Sequence, residues 1–270
     1  MVLTKDFVFI HMPKTGGTFV KEMLRKVYLG YRYRYRSNEA SFTLKDKCFH
    51  LRTRLLRKLS LAPWVDTIGE KHGRCDDIPP KYQSLPILGG IRNPFDWYVS
   101  SYEFQSWRKY PELYPGILEN PHFPNLSFRE FVQQLETSER INLFNRGVTA
   151  VDPTIGRFTT FFINFYFRRP NEILQSVANL ESKDCIAGEM YPVTFLHTET
   201  LNRDLSEYLS QFMSRKRVLR FVEIEKPILP IGAAIRKRHW RDYYDADLMA
   251  EIRERDRLIF SLFPEYAAER

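Results

Sequence analysis

The 270-residue chain has little cysteine: only Cys48, Cys75 and Cys185, none in Cys-x-x-Cys spacing. Three scattered thiols argue against a disulfide framework and against a cysteine-built metal cluster, and they fit a reducing cytosol. No apolar run approaches the ~20 residues that a membrane-crossing helix needs. The N-terminus enters a predicted strand within a few residues, with no visible secretory leader or anchor. The expectation is a cytoplasmic protein without a membrane span. Internal repeats and flexible linkers are also missing, so a single domain over residues 1–270 is the simplest organisation. Acidic residues are outnumbered, 33 Asp+Glu against 41 Lys+Arg, for a net charge of +8. That excess favours anionic partners by long-range steering but does not separate a nucleotide from nucleic acid, a sulfated glycan or an acidic membrane surface.

What is present is enough apolar material, 43% of residues, to build one large α/β core. The most informative stretch is Phe7-Val8-Phe9-Ile10-His11-Met12-Pro13-Lys14-Thr15-Gly16-Gly17-Thr18. An apolar run, a glycine-containing turn and a helix-like run from Phe19 to Tyr28 read as strand, anion loop, helix. Adjacent glycines let backbone N–H groups turn inward, and the helix adds the positive end of its dipole at the same point. Val20, Met23, Leu24 and Val27 give that helix its apolar stripe. The loop is not a Walker A motif, because no Gly-Lys-Ser/Thr closes it.

Tyr31 to Arg36 alternates tyrosine with arginine, and Lys45, Lys47, Arg52, Arg54 and Arg57 extend the basic character. Strict alternation suits a half-exposed strand, either as a solvated edge or as a grip on an acidic substrate. Single-stranded nucleic acid would also suit interleaved aromatic and basic residues. Val65 to Gly69 predicts a second strand ending at Glu70-Lys71-His72-Gly73, where open α/β sheets place their chemistry. Leu85 to Ile91 predicts a buried strand leading into Arg92-Asn93-Pro94, with Pro94 opening a helix through Tyr102. Four prolines mark 110–126 as an irregular loop. Ser127 and Glu130 form a capping box for a helix over Phe128–Leu135. The aromatic run Phe158–Phe167 reads as core rather than pocket lining. Pro192–His197 predicts a late strand and Thr198–Met213 a helix. A basic cluster from Ile235 to Arg241 precedes an amphipathic closing helix over about Asp247–Phe263.

The opening loop and the Arg92 segment have to be taken together. Pro-Lys-Thr-Gly-Gly-Thr after the first strand, with Arg-Asn-Pro-x-Asp after a later one and a serine eight residues past the arginine, resembles the sulfotransferase family. The residues carrying the resemblance are Lys14, Thr15, Gly16, Gly17, Thr18, Arg92, Asn93, Pro94, Asp96 and Ser100. Lys71-His72 and Tyr243-Tyr244-Asp245 bring it closest to carbohydrate sulfotransferases and their bacterial relatives. The resemblance implies a three-layer, P-loop-like α/β fold with a central, mainly parallel sheet flanked by helices. It also implies a donor-binding core over about 5–110 and 190–265, with acceptor-facing variable segments over about 31–60 and 110–190. The implied reaction moves a sulfuryl group from 3′-phosphoadenosine 5′-phosphosulfate (PAPS) to an acceptor hydroxyl or amine, on a glycan or a polar small molecule. It releases 3′-phosphoadenosine 5′-phosphate (PAP) and needs no metal.

In that assignment Lys14 stabilises the bridging oxygen, while Thr15, Gly16, Gly17 and Thr18 hold the 5′-phosphosulfate. Arg92 and Ser100 hold the 3′-phosphate, and Arg236 and Arg238 of the late basic cluster close over it. His72 is the candidate base, with Glu70 its rival and Lys71 an assisting cation. His11 is read as a structural residue of the strand end, and His197 has no supporting pattern. Two alternatives remain: a P-loop kinase-like nucleotide enzyme, disfavoured by the missing Walker A hydroxyl, and a basic polyanion- or nucleic-acid-binding protein, which leaves Arg92 and Ser100 unexplained. No feature of the sequence indicates an oligomeric state.

Overall fold

The computed structural model describes residues 1–29, 64–66, 72–137, 148, 150–180, 186, 188–222 and 238–268. In chain order these carry β1 (Val2–Thr4), β2 (Val8–Phe9), α1 (Gly17–Leu29), β3 (Trp64–Asp66), β4 (Ile87–Ile91), α2 (Pro94–Phe104), α3 (Phe128–Thr137), α4 (Arg157–Tyr166), β5 (Val193–His197), α5 (Leu201–Leu209), α6 (Arg215–Phe221), α7 (Ala246–Arg255) and α8 (Arg257–Leu262). The Tyr-Arg repeat of 31–36 and the basic residues up to 58 lie outside the described residues. The chain gathers into two compact units. One comprises Met1–Gly73, Ile78–Ile91 and Thr194–Ile231; the other comprises Arg74–Asp77, Arg92–Val193 and Gly232–Arg270. Because each unit draws on separated segments, no linker in the sequence marks a boundary.

The first unit contains the sheet, in the order β3-β1-β2-β4-β5. β2 and β4 are parallel, with Val8 opposite Ile87 and Phe9 opposite Leu88, whereas β1 is antiparallel to both β2 and β3. The expectation of a mainly parallel sheet is therefore corrected: this is an α/β structure with a mixed, open sheet. A tight reversal is the cause. Thr4 Oγ1 donates to the Phe7 carbonyl at 2.7 Å and accepts from the Phe7 N–H at 2.9 Å, which folds β1 back beside β2. Three residues of β1 were too few to show a strand period in the sequence.

Helix α1 buries Val20, Met23, Leu24 and Val27 in one cluster with Phe7 and Phe9, as its stripe requires. Phe7 is fully buried and meets the rings of Tyr208 at 5.1 Å and Phe212 at 5.5 Å. The far end of α1 is held by α6. Arg217 donates through Nε to the Val27 carbonyl at 2.7 Å and through Nη2 to the Tyr28 carbonyl at 3.1 Å, satisfying last-turn acceptors and placing a cation at the negative end of the helix dipole. Over Thr198–Met213 the single expected helix is a short 3-10 turn, Thr198–Thr200, followed by α5.

In the second unit every residue of α4 is buried, which makes the aromatic run core. The capping box before α3 forms: the Ser127 N–H donates to Glu130 Oε2 at 2.7 Å and the Glu130 N–H to Ser127 Oγ at 3.3 Å. The proline-rich stretch is irregular, with isolated turns at Pro111–Leu113 and Ile117–Glu119. The closing helix is not continuous. It breaks at Asp256, where φ is −102° and ψ is 23°, because the buried Asp256 carboxyl turns inward to accept from the Thr159 N–H at 2.8 Å and the Thr159 hydroxyl at 2.7 Å. Among the described residues, no helix is long and apolar enough to cross a membrane.

The ring cluster around Phe7 predicts that Phe7→Ala costs about 3–5 kcal/mol in equilibrium urea unfolding. A loss under about 1 kcal/mol would show that the first unit does not depend on this packing.

Candidate functional site

The loop between β2 and α1 is held from three sides by contacts that only glycine permits. Pairing with β4 continues one residue past β2, the Ile10 N–H donating to the Leu88 carbonyl at 2.8 Å, and the chain then leaves the sheet. Thr15 is buried, and its Oγ1 donates to the Met12 carbonyl at 2.9 Å, closing the turn on itself. A Cβ on Gly90 would lie 2.7 Å from the Thr15 carbonyl oxygen, so β4 makes room for the loop by having no side chain there. Gly16 has φ +76° and would bring a Cβ to 2.6 Å from Leu201 Cδ2. A Cβ on Gly17 would fall 1.9 Å from the His11 ring. Lys14 also has a left-handed backbone, φ +66°, although it is not glycine. Such a residue costs on the order of 1 kcal/mol, which the closed turn sustains.

The loop geometry favours anions. Left-handed Lys14 and Gly16 flank Thr15 in the turn that leads into α1. The first N–H groups of α1 have no acceptor within the helix, and the first turn carries no acidic residue to compete for them. Lys14, Gly16 and Thr18 are part-exposed, whereas Thr15 and Gly17 are buried.

His72 is tied to the residue that opens this loop. Its Nδ1 lies 2.7 Å from the His11 carbonyl oxygen, and the two rings are 4.6 Å apart at 54°. A carbonyl only accepts, so Nδ1 carries the proton, and in the neutral ring the lone pair is on Nε2. His11 itself is buried, its ring wedged against Gly17 at the start of α1. Its part is to shape the helix entry and to hold His72. Glu70, Lys71 and Arg236 lie outside the described residues.

Beside the β4 end of the same unit, Thr198 Oγ1 donates to the Ile91 carbonyl at 2.9 Å. His197 donates its backbone N–H to Asp204 Oδ2 at 2.9 Å, and the Thr200 hydroxyl donates to Asp204 Oδ1 at 2.8 Å. Burial alone would push the Asp204 carboxyl up, yet these donors together hold it below the usual aspartate value. This cluster ties β5 to α5 and gives His197 a structural task.

Arg92 begins the second unit's part of the sequence signature. Asn93 caps α2 by accepting from the Phe95 N–H at 3.0 Å, and Pro94 takes the first helical position. Arg92 Nε donates to Asp96 Oδ2 at 2.7 Å, with Nη2 at 2.5 Å from the same oxygen. Asp96 stands in the motif without a task that the motif assigns; its four-residue spacing from Arg92 across a helix start is the signal in the sequence for this pair. Ser100 is part-exposed on α2. Arg238 is exposed, and its neighbour His239 caps the turn Trp240–Tyr243. Tyr244 donates to the Phe95 carbonyl at 2.8 Å and Asp245 caps α7, so both are structural. No group of three or more His, Cys, Asp or Glu among the described residues is arranged to hold a metal ion.

The fit of the loop against β4 predicts that Gly90→Ala lowers stability by about 1–3 kcal/mol, because the obstructing atom is backbone. Gly188→Ala, where a Cβ meets nothing within 4 Å, serves as the control and stays within about 1 kcal/mol of the parent. Equal melting temperatures for the two variants would refute the close approach. Comparison with protein-family models, curated proteins and solved structures finds no match, so the functional reading rests on the residues themselves.

Proposed function

We propose that this protein is a cytoplasmic, PAPS-dependent sulfotransferase of three-layer, P-loop-like architecture, acting on a hydroxyl or amine of a glycan or polar small molecule. One observation carries the reading: a histidine whose Nδ1 is committed to the His11 carbonyl stands next to an anion-favouring loop bearing a lysine. That combination supplies a proton acceptor and a charge stabiliser to the same reaction. An anion-binding loop alone serves many nucleotide enzymes.

The donor's 5′-phosphosulfate sits on the N–H groups at the start of α1, with Thr18 adding a hydroxyl and Lys14 reaching the oxygen that bridges phosphorus and sulfur. Arg92 and Ser100 take the 3′-phosphate, and Arg236 and Arg238 add positive charge there. Binding of that phosphate draws the Arg92 guanidinium toward a doubly charged partner, in competition with the contacts that its Nε and Nη2 make to Asp96. The acceptor oxygen attacks sulfur and loses its proton to His72 Nε2. As the new S–O bond forms, the bond between sulfur and the bridging oxygen breaks. That oxygen leaves on PAP with the electron pair, and Lys14 neutralises the charge it gains. Positioning and electrostatic stabilisation do most of the work, as in phosphoryl transfer.

The donor is tested first by thermal stabilisation. PAP at a hundredfold excess over its dissociation constant adds about 2.7 kcal/mol of stability, and ATP with magnesium adds little. A response to ATP and none to PAP refutes the proposal in favour of a kinase-like enzyme. Single-turnover transfer from labelled PAPS to a panel of glycans, phenols and polar metabolites then separates the roles. His72→Ala abolishes transfer and leaves PAP affinity intact, Lys14→Ala lowers kcat more than donor affinity, and Arg92→Ala raises the donor Kd at least ~10-fold. Retained transfer in His72→Ala with loss in Glu70→Ala moves the base to Glu70.

A further inference from the structure

The second unit contains a buried pair of carboxyl groups that the proposed reaction does not use. Tyr98, on α2, is completely buried, and two carboxyl oxygens share its hydroxyl: Glu136 Oε1 at 2.6 Å from α3 and Asp256 Oδ2 at 3.0 Å from the break between α7 and α8. A phenol has one proton and can donate it to one of them. Were both carboxyls ionised, the other contact would set a carboxylate oxygen against the lone pairs of the phenol oxygen.

The remaining bonds show which oxygen needs a proton of its own. Glu136 Oε1 also accepts from the Arg157 N–H at 3.0 Å, and its Oε2 lies 3.5 Å from Arg255 Nη1, an arrangement that suits an anion. Asp256 Oδ1 is fully engaged by the Thr159 N–H and hydroxyl. Among the described residues, Asp256 Oδ2 has only the Tyr98 oxygen, which it can bond by donating. The carboxyl is fully buried and packed against Gly156, where a Cβ would lie 2.9 Å from Oδ2.

We propose that Asp256 folds as the neutral acid, and that the second unit holds one proton at the Tyr98–Glu136–Asp256 cluster as a lock whose loss loosens the start of α4. The titratable and charged groups around the cluster among the described residues are Tyr98 from α2, Glu136 from α3 with Arg157 of α4 and Arg255 of α7 in contact with it, and Tyr244 from the turn before α7, with Asp96 beyond Tyr244. The nearest anion is Glu136, and it repels a second negative charge. Burial first and Glu136 second push the Asp256 carboxyl up to about 7, against its acceptance of bonds from Thr159 and Tyr98. The sign follows from proton linkage: a raised folded-state value means that the native state binds the extra proton. Stability from this group is complete below the ordinary aspartate value near ~4 and is lost as pH rises to about 7.

Asp256→Asn tests the lock, since an amide keeps the acceptor for Thr159 and donates permanently to the Tyr98 oxygen. In urea unfolding, the parent's folding constant falls by on the order of a hundredfold or more, relative to that of Asp256→Asn, between pH ~4 and ~7. The variant is the more stable of the two at pH ~8. Parallel pH profiles for parent and variant overturn the proposal. A second measurement needs no variant: the infrared carbonyl band of a protonated, buried carboxyl is present in the folded parent near pH ~6 and fades as pH passes about 7. Absence of that band at the lower pH overturns the proposal as well.

Discussion

The parallel pairing of β2 with β4 is the constraint on which the first unit depends. It fixes where the chain leaves the sheet after Ile10, and it places Gly90 under the turn that follows. A turn seated on a strand at backbone distance cannot shift without lifting off the sheet. The left-handed Lys14 and Gly16 are held by that seat on one side and by Leu201 and His11 on the others. Preorganisation of this kind matters for any anion site, because donors already aimed at a charge need not be reoriented when it arrives.

The stretch Phe7–Thr18 was legible from sequence because three local signals agree there: an apolar strand, a turn with glycines and an amphipathic helix. The Ser127–Glu130 capping box was legible for the same reason, since both partners lie within one turn. What escaped lacks a local pattern, either because the element is too short to show a period or because its partner is far along the chain. β1 is three residues long and takes its direction from Thr4 folding onto Phe7. The break at Asp256 is set by Thr159, 97 residues away, and no local pattern announces it. An amphipathic period continues across the break because burial on both sides of it is the same.

The candidate site divides in the same way. The chemical types at Lys14, His72, Arg92 and Ser100 could be picked out by motif, but their engagements could not. That His72 meets the His11 carbonyl through Nδ1, and that Arg92 already has Asp96 as a partner, are facts of three-dimensional placement. Both bear on chemistry: the first fixes which ring nitrogen is basic, and the second makes Asp96 a competitor for any anion that approaches Arg92. His11, read as structural from its position, turns out to contribute through its main chain as well as its ring.

The interleaving of the two units bears on how the protein is made. The first unit needs residues 194–231 to finish its sheet and cover α1, and the second needs the segment after 232 to deliver Asp256 to α4. Neither can close before the segments that supply β5, α5 and Asp256 have left the ribosome. Until then the nascent chain carries an unfinished sheet edge and an uncovered aromatic helix, the kind of surface on which chaperones act and aggregation begins.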